Sequence, residues 1–244
     1  MRINLKLVKS LKTKKGRDEH GLFIIEGTKP VAEIPDNWRI RAYICAESYP
    51  HKDNAIVVSD SRFASLSDTV TPQGIMAVCE KQTFKFDDII SSKPFILIGE
   101  TLSDPGNIGT LIRTAAAAGA DGVILSESSG DIYNPKTIRA AAGASLRIPI
   151  IEQADLSIII PKLKARGIKV LATHLKGELS PYEENLQQGC AILVGNEAHG
   201  LSDEISALAD VCVKLPMARD VESLNASVAG GILIYEVLRQ RRQL

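Results

Sequence analysis

Short apolar runs recur along this chain at regular intervals, and their contrast with the intervening segments is strongest from Pro94 onward. The runs read as buried strands, and segments with helically spaced apolar or small residues separate them. The strand candidates lie at 94–100, 121–128, 147–151, 168–175, 190–195 and 211–216, and the helix candidates lie at 105–119, 134–144, 156–166, 202–209 and in the C-terminal stretch. This alternation predicts an α/β fold with a mostly parallel sheet and helices on both faces. In such sheets, ligands bind beyond the carboxyl ends of the strands.

The first third of the chain repeats the pattern on a smaller scale. Strand-like runs lie at 22–27, 41–47, 55–60 and 75–82, with helix candidates at 28–34 and 61–66. The polar segment 81–93 carries an Asp-Asp pair and separates the two sets of apolar runs, which is typical of a linker. We therefore expect two domains, a small α/β domain at 1–88 and a larger one at 94–244.

Residues 3–20 combine helically spaced apolar positions with a cluster of basic side chains. This pattern predicts an amphipathic helix with a basic face that runs into a basic loop. The cations that define the face are Lys9, Lys12, Lys14, Lys15 and Arg17. Charge alone fits both a surface that contacts phosphates and an ordinary solvated helix face.

Composition narrows the classes of partner. The 29 basic residues balance the 29 acidic ones, so contact with a polyanion has to come from local clusters. Cys45, Cys79, Cys190 and Cys212 stand singly in apolar runs without a CxxC spacing, which favours buried reduced thiols over a disulfide framework or a metal site. The N-terminus is too charged for a secretory leader, and no apolar run approaches the roughly 20 residues of a membrane span. We expect a cytoplasmic protein that binds neither membrane nor metal.

Three loops at predicted strand ends contain the candidate chemistry. The first, in LSDPGNIGTLIR, has Asp104 and Pro105 as a helix start and Gly106 and Gly109 for close backbone approach. A dinucleotide-binding oxidoreductase would need GxGxxG here, and that spacing is absent. Arg113 lies off the apolar stripe of the following helix, where a surface ion pair is the ordinary role.

The second loop, LVGNEAHGLS, places Glu197 in a glycine-flanked strand end, where its carboxylate could accept hydrogen bonds from a ligand or another chain. An ordinary Asn-Glu turn fits this loop equally well. In the third loop Ser223 is a good N-cap, and Asn225 falls in the first turn of the last helix. Small residues after it, including Gly230 and Gly231, permit close packing of another helix.

Together these loops resemble the three motifs of the SpoU (TrmH-type) family of RNA ribose 2′-O-methyltransferases. The matching stretches are DPGNIGTLIRTAAAAGA, LVGNEAHGL and LPMARDVESLNASVAGGI, so the resemblance covers residues 94–242. Gly230 and Gly231 stand where this family more often has small residues such as Ala, a departure that concerns packing. Residues 1–85 resemble, less specifically, the substrate-binding domain of such enzymes, a module akin to ribosomal protein L30e.

The resemblance implies a trefoil knot in the C-terminal part, S-adenosylmethionine as cofactor, and a homodimer whose active site is completed across the subunit boundary. The residues implied for cofactor binding are Thr173, Gly195, Asn196, Leu215, Pro216, Met217 and Leu224. Arg113 matches the family's catalytic arginine, and Asn107, Glu197, Ser223 and Asn225 would orient it and the ribose. The basic residues Lys9, Lys12, Lys14, Lys15 and Arg17 would contact RNA.

The function implied is methyl transfer to a ribose 2′-hydroxyl of structured RNA, with ribosomal RNA favoured over transfer RNA. The alternative is an RNA-binding protein of the same fold that has lost catalysis. The presence of Arg113, Glu197 and Asn225 together favours the active enzyme.

Overall fold

A computed structural model describes residues 3–50, 52–174, 177, 179–218 and 223–242. In the first third of the chain the strands are β1 (Leu22–Glu26), β2 (Ile40–Ala46), β3 (Ile56–Val58) and β4 (Ile75–Glu80). The helices of this part are α1 (Leu5–Ser10), α2 (Lys14–His20), α3 (Thr28–Ala32) and α4 (Asp60–Leu66). The strands form one sheet in the order β1-β4-β2-β3, in which only the β2–β3 pair is parallel. The four strands predicted in this part and the helices predicted at 28–34 and 61–66 are confirmed.

The basic segment at 3–20 forms two helices instead of one. Asn4 caps α1 by accepting from the backbone N–H of Leu7, and Thr13 caps α2 by accepting from that of Gly16. The two helices approach so closely that a Cβ on Gly16 would lie 2.1 Å from the carbonyl oxygen of Ser10. The side chains of Lys9, Lys14 and Lys15 are exposed.

The larger sheet is wholly parallel, as predicted. Its strands are β5 (Phe95–Gly99), β6 (Gly122–Ser126), β7 (Ile150–Ala154), β8 (Lys169–Thr173), β9 (Cys190–Val194) and β10 (Val211–Val213), in the order β10-β8-β9-β5-β6-β7. The helices are α5 (Pro105–Ala117), α6 (Pro135–Ala141), α7 (Leu156–Ala165), α8 (Asp203–Ser206) and α9 (Ala226–Arg242), with short 3-10 helices at Phe86–Ile89, Ala144–Leu146 and Pro181–Glu183. Helix α8 is shorter than the predicted 202–209, and β7 begins three residues later than predicted, after Pro149.

Helices cover this sheet on both faces. Along β5, Phe95 and Leu97 pack into the core beneath α5, α6 and α9, while Ile96 and Ile98 pack into a second core beneath α7 and α8. This alternation is the period-two pattern of a strand buried on both sides. The predicted fold class is confirmed at this level, and the knot and the likeness to L30e remain predictions from the resemblance.

The two sheets share a continuous core instead of meeting only through a linker. Phe23 of β1 lies with its ring centroid 4.6 Å from that of Tyr133, and the indole N–H of Trp38 donates to the carbonyl of Leu146 at 2.8 Å. Both contacts belong to the core that also contains the first face of the larger sheet. A division into the domains 1–88 and 94–244 therefore stays a proposal.

Arg17 belongs to this junction and not to an RNA-contacting surface. Its guanidinium is 2% exposed, donates to Oδ2 of Asp131 from Nε at 2.8 Å and from Nη2 at 2.6 Å, and donates to the carbonyl of Leu11. A guanidinium that is buried against a carboxylate is not accessible to a phosphate. The structure therefore does not support the prediction that Arg17 contacts RNA.

The four cysteines are free thiols that differ in burial. Cys45, Cys79 and Cys190 are buried free thiols, and Cys212 is a free thiol that is partly buried. Burial raises the pKa of Cys79 to about 12 and that of Cys190 to about 11, so these thiols are inert at neutral pH. In the described part of the chain, no helix has the length and apolarity to cross a membrane.

Candidate active site

The carboxyl ends of β5 and β9 carry loops that brace each other. These strands are neighbours in the sheet, so the loops that follow them leave from the same edge. Glu100, after β5, accepts from the backbone N–H and hydroxyl of Ser202 at 2.9 and 2.6 Å. Glu197, after β9, accepts from the backbone N–H groups of Ser103 and Asp104 at 3.2 and 3.1 Å. Each loop thus supplies a carboxylate that accepts hydrogen bonds from the other loop.

Asn107, Glu197 and Asn225, three of the predicted catalytic residues, form one hydrogen-bonded chain. The side-chain amide of Asn225 donates to Oδ1 of Asn107 at 3.0 Å, and the amide of Asn107 donates to Oε1 of Glu197 at 3.1 Å. Asn107 is 9% exposed, at the start of α5, where Asp104 caps the helix. The three predicted loops therefore meet through polar contacts that the spacing of their motifs could not show.

Glu197 is held in its ionised form. Partial burial raises its pKa, but the donated hydrogen bonds from its own backbone N–H, the amide of Asn107 and the backbone N–H groups of Asp104 and Ser103 outweigh that effect. The net result is a pKa below the ordinary glutamate value. A fixed negative charge at the N-terminus of α5 also interacts favourably with the helix dipole.

Asn225, not Ser223, caps the last helix. Its Oδ1 accepts from the backbone N–H groups of Ser227 and Val228 at 2.9 and 3.3 Å, and α9 begins at the next residue, Ala226. Ser223 is exposed and two residues upstream of the cap. The prediction that Ser223 caps the helix is wrong because Asn225 takes the position that would otherwise fall in the first turn. One amide thereby ends α9 and joins it to α5.

Close packing of α9 on α5 keeps these two helix starts together. A Cβ on Gly230 would lie 2.5 Å from Cδ2 of Leu111, so a larger residue here would force Leu111 to shift. The neighbouring Gly231 faces more open space, with Cγ2 of Thr114 at 3.8 Å from such a Cβ. The predicted packing role applies to Gly230.

A cavity of about 520 Å³ opens at this edge of the sheet, and we call it the strand-end cavity. Most of the residues predicted to bind the cofactor line it. They are Thr173, Gly195, Asn196, Leu215, Met217 and Leu224, and Ser223 joins them, whereas Pro216 is absent from the lining. Residues 219–222 of the third motif lie outside the described residues.

The strand-end cavity fits a nucleoside-like ligand recognised by backbone groups. A Cβ on Gly195 would lie 2.3 Å from the backbone carbon of Gly200 and the backbone nitrogen of Leu201. Backbone atoms without side chains therefore form this part of the cavity wall. Val194, Leu215, Leu224 and Leu233 supply apolar surface around it. This mixture of apolar walls and a few convergent polar groups is typical of cofactor sites of this volume.

Asn196 lines the cavity, and its side chain braces the loop that forms this part of the wall. Its amide donates to the carbonyl of Thr101 at 2.7 Å, and its Oδ1 accepts from the backbone N–H groups of Ala198 and His199 at 2.9 and 3.2 Å. Thr101 holds a φ of 51°, which a non-glycine residue adopts only under constraint. Sequence reasoning missed Thr101 and Glu100, and their position directly after a buried strand was the only signal available.

Arg113 lies away from the strand-end cavity. It follows Asn107 by six residues on α5, which places the two side chains about 240° apart around the helix axis and about 9 Å along it. Arg113 is exposed and lines a second cavity of about 440 Å³ between the two sheets. Within one chain, the structure does not bring Arg113 together with Asn107, Glu197 or Asn225.

Known families match both parts of the chain. A model of the SpoU rRNA Methylase family matches residues 94–235, and one of the MRM3-like substrate binding domain matches residues 3–77. The chain is 34% identical over 237 residues to the 23S rRNA (guanosine(2553)-2′-O)-methyltransferase RlmP of Bacillus subtilis, across 94% of this chain and 93% of the relative. It is 28% identical to the 23S rRNA (uridine(2479)-2′-O)-methyltransferase of Streptomyces viridochromogenes, across 92% and 85%.

Solved structures share the whole fold. The SpoU methyltransferase AviRb from Streptomyces viridochromogenes, crystallised with AdoMet, superposes with a TM-score of 0.90 at 25% identity and covers 99% of both chains. The AdoMet-bound rRNA methyltransferase from Sinorhizobium meliloti superposes with a TM-score of 0.87 at 30% identity, over 98% of this chain and 94% of that one.

Proposed function

Since the chain belongs to the SpoU rRNA methylase family, we propose that it transfers a methyl group from S-adenosylmethionine to a ribose 2′-hydroxyl of ribosomal RNA. Relatives from Bacillus subtilis and Streptomyces viridochromogenes are named as 23S rRNA 2′-O-methyltransferases, which supports ribosomal RNA as the substrate. The observation that carries the proposal is the meeting of all three family motifs, through Asn225, Asn107 and Glu197, at the rim of the strand-end cavity. The alternative of an inactive RNA-binding protein gains no support.

The strand-end cavity would hold the cofactor. Bound S-adenosylmethionine supplies an electrophilic methyl group, and the protein has to align it with the hydroxyl. Gly195 and its neighbours would present backbone groups to the polar atoms of the nucleoside, while Leu215 and Leu224 pack against its apolar surface. Thr173 donates its hydroxyl to the carbonyl of Leu193, so it would fix the wall of the cavity.

Arg113 would stabilise charge on the substrate. A guanidinium is a poor general base because its positive charge is delocalised over three nitrogens, so we assign Arg113 to holding the target phosphate and the developing alkoxide. Glu197, Asn107 and Asn225 would keep the start of α5 rigid and orient the ribose. The hydroxyl proton has to pass to a base such as a phosphate oxygen of the RNA.

The separation of Arg113 from the strand-end cavity supports action as a homodimer, in which Arg113 of one protomer serves the cavity of its partner. An exposed apolar surface near that cavity fits a subunit contact. Leu224, Val228 and Tyr235 are 39%, 50% and 52% exposed along the start and outer face of α9. Apolar area of this kind is typical of the buried centre of a homodimer contact, and aromatic side chains such as Tyr235 are enriched there.

The exposed lysines of α1 and α2 would bind RNA. Lys9, Lys14 and Lys15 are free to approach phosphates, whereas Lys12 is partly engaged. Its Nζ donates to the carbonyls of Ser65 and Ser67 at 3.2 and 2.8 Å and lies 3.6 Å from Oδ1 of Asp68.

Transfer of tritium from methyl-labelled S-adenosylmethionine to unmodified RNA transcripts tests the proposal. We expect label in a large-subunit ribosomal RNA transcript and little in transfer RNA. Nuclease digestion and mass spectrometry should then place the methyl group on a ribose. Label on a base, or equal labelling of transfer RNA, would contradict the proposed reaction or substrate.

A further inference from the structure

The second cavity, which we call the intersheet cleft, lies between the smaller sheet and helices α5 and α6. Residues of β1, α3 and the segment 66–73 form one wall, and Arg113, Ile138, Arg139 and Leu146 contribute to the other. Its volume is about 440 Å³. The proposed cofactor site does not include it, and of its residues the proposed mechanism uses only Arg113.

The acidic groups of the cleft are engaged by the protein itself. Glu26 accepts from the hydroxyl of Ser67, the backbone N–H of Asp68 at 3.1 Å and the hydroxyl of Thr69 at 3.0 Å. Glu33 lies 3.8 Å from Nζ of Lys29, and Asp68 pairs with Lys12. These carboxylates therefore shape the segment 66–73 and the end of α3.

The two arginines of the cleft have no such partners. Both Arg113 and Arg139 are exposed, and across the described residues the guanidinium of neither one makes a hydrogen bond or an ion pair. Arg113 lies on α5 and Arg139 on α6, and these two helices pack closely at Gly109. A Cβ on Gly109 of α5 would lie 2.7 Å from the carbonyl of Thr137 and 2.5 Å from Cβ of Ala140 on α6. The two guanidinium groups are thus carried on a rigid pair of helices.

We propose that Arg139 binds a backbone phosphate of the RNA substrate in the intersheet cleft, beside the segment that Arg113 serves. This inference rests on the proposed function and adds to it an RNA-binding residue outside the cofactor cavity. Guanidinium groups form bidentate hydrogen bonds with phosphate, and two unpaired ones on a rigid frame match a polyanion better than a neutral ligand. The cleft also adjoins the basic helices, because Lys12 holds Ser67 and Asp68 at its rim.

The test compares Arg139→Gln with Lys136→Gln. Both changes remove one exposed positive charge from α6, but Lys136 does not line the cleft. We expect Arg139→Gln to raise the Kd for an unmodified large-subunit ribosomal RNA transcript roughly threefold to tenfold at about 0.1 M salt, and to reduce the slope of log Kd against log salt by about 0.7 to 0.9. The KM for RNA should rise more than kcat falls. Lys136→Gln should match the wild type.

Two controls separate this inference from the proposed function. Affinity for S-adenosylmethionine and the melting temperature should be unchanged in Arg139→Gln, because the side chain is exposed and remote from the strand-end cavity. An unchanged Kd, salt slope and KM in Arg139→Gln, with active wild-type enzyme, would overturn the role of Arg139 alone. Equal losses in both variants would show a general charge effect and also overturn it. Absence of methyl transfer by the wild type would instead count against the proposed function.

Discussion

The strand-end cavity and the intersheet cleft differ in how their polar groups are satisfied. Around the first, the side chains of Glu100, Asn107, Asn196, Glu197 and Asn225 hydrogen-bond to the protein. In the second, Arg113 and Arg139 are exposed and unpaired within the described structure. The strand-end cavity is therefore preorganised for a small ligand. The intersheet cleft instead presents positive charge that an external anion can neutralise.

This difference assigns the binding of the cofactor and the binding of RNA, two steps of the proposed reaction, to different sites. Preorganised groups cost no rearrangement when the cofactor binds, so affinity for the cofactor should depend on the shape of the loops. Binding of RNA should depend on charge and therefore on salt. Variants that affect one task and not the other test this division.

The largest effect is expected at Arg113, which lines the intersheet cleft and for which we propose a catalytic role. Arg113→Ala should lower kcat about a hundredfold to a thousandfold, because it removes the group that stabilises the developing charge. Affinity for S-adenosylmethionine, measured by calorimetry, should stay within about twofold. Loss of cofactor affinity together with activity would place Arg113 in the strand-end cavity after all.

Gly195 tests the shape of the strand-end cavity. Gly195→Ala forces a Cβ against the backbone of Gly200 and Leu201, so the loop has to shift, and affinity for S-adenosylmethionine should fall roughly tenfold to a hundredfold. Gly200→Ala is the matched control in the same loop. It meets no atom within 4 Å and introduces only strain at a φ of 70°, so its effect on cofactor affinity should be smaller. Equal losses would mean that loop strain, not close approach, determines the site.

The adjacent glycines of α9 test the packing that supports the hydrogen-bonded chain. Gly230→Ala should lower the free energy of unfolding by about 1–3 kcal/mol, because its methyl group overlaps Leu111. Gly231→Ala should be neutral or stabilise the protein by up to about 1 kcal/mol, because Ala is the better helix former and the space is open. Urea denaturation measures both. A reversed order would contradict the described contact of α9 with α5.

An effect that depends on pH is expected at Glu152, which lies on β7 near the junction of the two sheets. Burial, and next the negative charge of Asp131, raise the pKa of Glu152 to about 7. The folded state therefore holds the proton more tightly than the unfolded state, whose glutamate pKa is about 4.3. Stability from this group is complete below that value, falls as pH rises and is lost above pH 7.

Glu152→Gln removes this titration. Its free energy of unfolding should exceed that of the wild type by roughly 2–4 kcal/mol at pH 8, and the difference should vanish near pH 4. Thermal unfolding across this range provides the measurement. A constant difference between pH 4 and pH 8 would show that Glu152 does not titrate in this window.

Much of the fold follows from local patterns. Buried strands such as β5 and β9 appear as short apolar runs, and Asp104-Pro105 marks the start of α5 within one residue. The boundary between α1 and α2 was missed, since a single basic amphipathic pattern spans both. Ser and Asn are equally good N-caps, so the sequence does not distinguish Ser223 from Asn225 as the cap of α9. The hydrogen bond of Asn225 with Asn107 is a tertiary contact that the sequence does not reveal.

The candidate site was predictable in its members but not in its arrangement. Family resemblance identified the motifs that contain Asn107, Glu197 and Asn225. It could not show that their side chains form one chain of hydrogen bonds. Nor could charge distinguish Arg17 from Lys14, because burial against Asp131 depends on how the two sheets meet.

The fold class, the order of the elements and the three polar loops can be predicted from local patterns, because hydrophobic period and turn chemistry act over a few residues. Which polar groups are already satisfied and which remain for a ligand depends on how the elements pack. Hydrogen bonds such as that of Asn225 with Asn107 join residues more than a hundred positions apart, and the separation of Arg113 from the strand-end cavity depends on the rotation of α5. These are properties of packing, which no local pattern encodes.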